Sequence, residues 1–154
     1  MRADPDRILT THVGSLPRDQ AVVALLARKE GGLPYDTTEF DHTMSAAVQG
    51  IVARQCASGV DVASDGEQSK PSYAPYIKDR LSGFSSHSKA MRGAELDDSP
   101  QYLARLMSRR GGAIKLARPC RTGPIAVEDR APLTANLQRF RAALDAVNGG
   151  AKPI

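Results

Sequence analysis

The chain has 154 residues, 41% of them hydrophobic and 25% charged, with a net charge of +4 and an isoelectric point near 9.3. This is the length and mix of one ordinary globular domain, which excludes collagenous, disulfide-dense and disordered classes. No apolar run approaches the ~20 residues of a membrane helix, and the charged residues 1–8 lack the apolar stretch of a secretory signal.

Residues 8–13 (ILTTHV) are β-branched and apolar and stop at Gly14, the pattern of a short buried strand. A helix is expected over about 19–30, with Val22, Val23, Leu25 and Leu26 on one face and Gly31-Gly32 as its stop. Asp36 and Glu39 have the spacing of a capping box. Behind them Phe40, Met44, Ala47, Val48, Ile51 and Val52 recur at the period of an amphipathic helix. Gly59 suits the left-handed residue that follows a helix, and residues 60–64 (VDVAS) read as a second strand running into Asp65-Gly66-Glu67.

Residues 71–112 are rich in Ser, Gly and Pro and are expected to form a long loop or lid-like insertion, with short helices at about 73–81 and 102–110. A short third strand is expected around 119–127 (PCRTGPIAV). Leu133, Leu137, Phe140, Leu144 and Val147 then step by four, three, four and three, a core-facing helix stripe that Gly149-Gly150 closes. Strands alternating with helices favour a parallel sheet of βα units. The expectation is an α/β fold in a single domain spanning 1–154, with about three parallel strands alternating with helices. That is part of a TIM-type (β/α)8 barrel, since a closed barrel needs ~250 residues and eight strands.

Two stretches resemble the catalytic barrel of cobalamin-independent methionine synthases, above all their single-barrel relatives: residues 8–18 (ILTTHVGSLPR) and 59–67 (GVDVASDGE). Residues 68–72, 76–84 and 120–125 (CRTGPI) resemble the same relatives. The resemblance implies the N-terminal part of a methyltransferase that passes a methyl group from a folate or similar donor to a thiol such as homocysteine. In that family Val13, Gly14, Ser15 and Glu67 would hold the amino-acid part of the substrate. The family's zinc ligands, a His-x-Cys motif and later positions, have no counterpart in this chain. No metal ligand and no catalytic residue is therefore assigned, and the chain is expected to be inactive alone.

Two further candidates come from the residues themselves. Asp65 stands two positions before Glu67 and would share its side of an extended chain, so the pair could hold an ammonium group. His12 ends the first strand, where an imidazole could bind substrate or carry a proton. A plain Gly-Ser turn, a solvated acidic turn beside Lys70 and a structural histidine are the rival readings. Arg18 and Lys70 could neutralise an anionic ligand. Cys56 and Cys120 are far apart and read as free thiols of a reducing cytoplasm.

The basic residues Arg105, Arg109, Arg110, Lys115, Arg118 and Arg121 lack accompanying aromatics, so nucleic acid and membrane are not expected partners. A small thiol or amino-acid ligand is expected instead, with a homo-oligomer or a second chain supplying the rest of the barrel. Two alternatives remain open. One is a non-catalytic truncated barrel that self-associates. The other is a related barrel enzyme of the uroporphyrinogen decarboxylase and thiol transferase superfamily.

Overall fold

Asp36 begins the longest helix as its N-cap, its carboxylate accepting from the N–H groups of Thr38 (2.7 Å) and Glu39 (3.0 Å). Only this half of the expected capping box forms, and the carboxylate of Glu39 makes no hydrogen bond among the described residues. The computed structural model describes residues 8–72, 76, 77, 79–87, 98–109 and 119–147. Its elements in chain order are α1 (Gln20–Glu30), α2 (Thr37–Ala57), β1 (Phe84–His87), α3 (Pro100–Arg109), β2 (Pro119–Arg121) and α4 (Ala131–Val147). They fall into two compact units, Met1–Pro71 with Asp129–Ile154, and Ser72–Glu128. Among the described residues no helix is long and apolar enough to cross a membrane.

The core of the first unit is built on α2. Phe40, Met44, Val48, Ile51 and Val52 are buried, as their spacing requires, and Met44 and Val52 are fully so. Each such side chain contributes roughly 1.5–3 kcal/mol relative to leaving it in water. Helix α1 adds Val22, Leu25 and Leu26. Helix α4 crosses α2 with Ala143, a small residue that lets the two backbones approach, and Phe140 and Leu144 pack around it. The expected α4 stripe is therefore only partly used: Leu133, Leu137 and Val147 stay 45%, 59% and 37% exposed. Arg139 of α4 instead pairs with Asp41 of α2.

The expected partial barrel of three parallel strands is not the fold. Among the described residues the one sheet is two-stranded and antiparallel, β1 with β2, with Phe84 facing Arg121 and Ser85 facing Cys120. The third expected strand thus shortens to Pro119–Arg121 and finds its partner inside the expected loop. Pro124 has no N–H to donate, pairing resumes beyond it only at the antiparallel bridge of Leu81 with Val127, and Ile125 and Val127 remain more than half exposed. In the second unit Gly83 (φ +77°) touches the carbonyls of Gly123 and Pro124 so closely that a Cβ would lie 2.4 Å from the latter.

The first and second expected strands meet only at one parallel bridge, Thr11 with Val62. Side chains take the hydrogen bonds that a longer ladder would use. The Asp61 carboxylate accepts from the Thr10 N–H (2.8 Å) and hydroxyl (2.9 Å). The buried Gln55 amide grips Ser64, donating to its carbonyl at 2.8 Å and accepting from its N–H at 3.1 Å. A glutamine of α2 thereby stands where a neighbouring strand would be.

Candidate functional site

The turn after the first stretch and the turn after the second close on each other like a clasp. Gly14 takes φ +97°, a conformation that other residues adopt only with strain, and it redirects the chain into Ser15. Residues 65–70 form the facing turn. Gly66 (φ +58°) is buried there against Leu16 and Ile51. Glu67 follows at φ +54° and is the one non-glycine residue with positive φ among the described residues. For a side chain with a Cβ that conformation costs of order 1 kcal/mol and persists only where surrounding contacts impose it.

Those contacts are explicit. The Leu16 N–H donates to the Gly66 carbonyl at 3.0 Å. The Gln68 amide, almost fully buried, donates to the carbonyls of Leu16 (3.2 Å) and Pro17 (3.3 Å). One terminal nitrogen of Arg18 donates to the carbonyls of Glu67 (2.8 Å) and Lys70 (2.6 Å). Burial pushes the Arg18 guanidinium below its ordinary value, and the negative charge of Glu67 pulls it part of the way back. The Asp65 carboxylate accepts from the Glu67 N–H at 3.0 Å and pairs with Lys70 at 3.2 Å.

The result is that the Ser15 hydroxyl donates to the Glu67 carboxylate, across 52 residues of sequence. This exposed pair faces solvent, and the main-chain N–H groups of Gly14 and Ser15 have no partner among the described residues. A carboxylate beside a hydroxyl and free N–H groups can hold a zwitterion: the acid takes an ammonium group, and the donors take a carboxylate.

The six candidate residues therefore separate. Ser15 and Glu67 meet directly, and Gly14 shapes their approach. Val13 is 87% exposed. Asp65 accepts from the Glu67 N–H and pairs with Lys70, so it braces the turn. His12 is half-buried, and its Nε2 is enclosed without a hydrogen-bond partner among the described residues. Arg18 and Lys70, read in the sequence as charges for an anionic ligand, are spent on the clasp itself. Gln55 and Gln68 escaped the sequence reading because a glutamine bonding main-chain groups leaves no spacing signal.

A cleft of about 250 Å3 lies between α1 and α2, lined among others by Asp19, His42, Thr43 and Arg54. It shares Pro17 and Gln68 with the clasp but includes neither Ser15 nor Glu67. Zinc, which the family resemblance implies, finds no donor set: among the described residues no three His, Cys, Asp or Glu side chains come together. Cys56 lies in the first unit and Cys120 in the second. No protein-family model matches the sequence, and no curated protein matches it.

Proposed function

We propose that this chain binds the amino-acid part of a small thiol such as homocysteine at the clasp, as the substrate-holding portion of a methionine-synthase-like methyltransferase of the reducing cytoplasm. The observation that carries the reading is the hydrogen bond between Ser15 and Glu67. It joins the two stretches whose sequences resemble that family, at the turn where Glu67 holds a positive φ. On binding, a ligand ammonium replaces the Ser15 hydroxyl as partner of Glu67. The freed hydroxyl and the N–H groups of Gly14 and Ser15 then face the ligand carboxylate. The ligand is a small molecule, neither nucleic acid nor membrane.

In this reading the clasp holds the thiol substrate and does not activate it. No donor set for zinc is assembled from them, so methyl transfer requires groups from elsewhere, a second chain being the proposed source. Isothermal titration of the full chain with L-homocysteine and L-methionine under reducing conditions tests the binding step. Glu67→Gln should weaken binding by about 10- to 150-fold, the equivalent of losing a charge-assisted hydrogen bond of about 1.5–3 kcal/mol. Absence of binding by the unaltered chain, or equal binding by Glu67→Gln, would sink the proposal.

A further inference from the structure

The stretch 8–13 has a used edge and an unused one. The Thr10 carbonyl accepts from the N–H groups of Asp61 (3.2 Å) and Val62 (3.0 Å), so Thr10 turns its main chain toward residues 60–64. In an extended chain successive residues direct their N–H and C=O to opposite edges. The main-chain groups of Leu9, Thr11 and Val13 accordingly face away from 60–64, and among the described residues none of them has a hydrogen-bond partner. The same stretch carries two large apolar side chains almost wholly in water, Ile8 at 93% and Val13 at 87% exposure. Unpaired main-chain groups on a β-branched, uncharged segment are a template for another strand. Only His12 in this stretch can titrate, so no like charges oppose close approach of two such edges.

We propose that this edge pairs with the same edge of a second copy of the chain, antiparallel about a two-fold axis at Thr11. The free positions make the edge self-complementary. Leu9, Thr11 and Val13 read apolar, polar, apolar in either direction. Each Leu9 then faces the partner's Val13, and the two Thr11 residues face each other. Aliphatic pairs and threonine pairs are both favourable across strands. Facing residues whose main chains point at one another exchange two hydrogen bonds, so three such pairs contribute about six. A two-fold axis closes the contact and leaves no further edge of this kind exposed. Three residue pairs bury well under the ~1,000 Å2 of a stable interface, so the dimer is weak and depends on concentration. This inference stands on the edge alone and not on the ligand proposed for the clasp.

Sedimentation equilibrium of the full chain from low micromolar to near-millimolar concentration tests it. The weight-average mass should climb from 16.5 kDa toward twice that value. Val13→Lys, at an exposed site, should hold the mass at that of one chain while leaving the far-ultraviolet circular dichroism unchanged. Register is tested separately, with Cys56 and Cys120 replaced by serine. Thr11→Cys should oxidise to a covalent dimer, since facing residues of this kind have Cα atoms about 5.5 Å apart, within disulfide range. Leu9→Cys should not, because the two like residues are offset by four positions, about 13 Å. A single-chain mass at every concentration, self-association that survives Val13→Lys, or cross-linking of Leu9→Cys as readily as Thr11→Cys would each overturn the proposal.

Discussion

Gly66 is where the clasp meets the core, and Gly66→Ala should damage both. Two costs add there. At φ +58° a Cβ costs about 1–2 kcal/mol, because it crowds the following carbonyl. The new methyl would also stand 3.1 Å from Leu16 Cβ and Cδ1 and 3.2 Å from Ile51 Cγ1, closer than carbon atoms pack. Ile51 belongs to the buried cluster on α2, so the neighbours cannot step aside freely, and overpacking of this kind costs about 1–3 kcal/mol. The sum is about 2–5 kcal/mol, which lowers Tm by on the order of 10 °C in a chain of this size. Gly14→Ala is the internal control. It too has positive φ, but an added Cβ there meets nothing within 4 Å, so only the conformational cost applies. Thermal unfolding followed by circular dichroism should therefore rank Gly66→Ala well below Gly14→Ala. Equal Tm values for the two variants would refute the steric half of the reasoning.

Other perturbations have smaller and separable effects. Asp36→Ala removes the α2 N-cap and should cost about 1 kcal/mol in urea unfolding, with a small loss of helical signal. Gln55→Ala strips the partners from the Ser64 N–H and carbonyl, and should cost about 2–6 kcal/mol at about 1–3 kcal/mol for each group left unpaired. A cost below about 0.5 kcal/mol would mean that water replaces the amide at Ser64 without loss. Arg139→Ala breaks the link from α4 to Asp41, whose carboxylate is largely exposed; the expected cost is about 1 kcal/mol or less and should shrink further in molar salt.

What is local in this chain was legible from its sequence. Helix α2 follows from a side-chain cap at Asp36 and an apolar period that persists for several turns, both of which act within a few residues. The residue that follows α2 is local too: Gly59 takes the left-handed φ its position implies, whereas Gly66 and Glu67 at positive φ form a turn where a continuing extended chain was expected. The meeting of Ser15 with Glu67 was expected only through a family resemblance, because nothing in local spacing relates residues 52 apart.

Tertiary structure decided the rest. Strand pairing is a competition for main-chain hydrogen bonds, and here the Asp61 carboxylate and the Gln55 amide take what a parallel ladder needed, leaving a single bridge. Residues 119–121 paired with β1, an antiparallel partner in the same unit, and not with a parallel neighbour. Of the α4 stripe only Phe140 and Leu144 pack against the α2 core, so Leu133, Leu137 and Val147 kept their water. Periodicity specifies which face of an element is apolar; only the surfaces that arrive opposite it determine whether that face is buried.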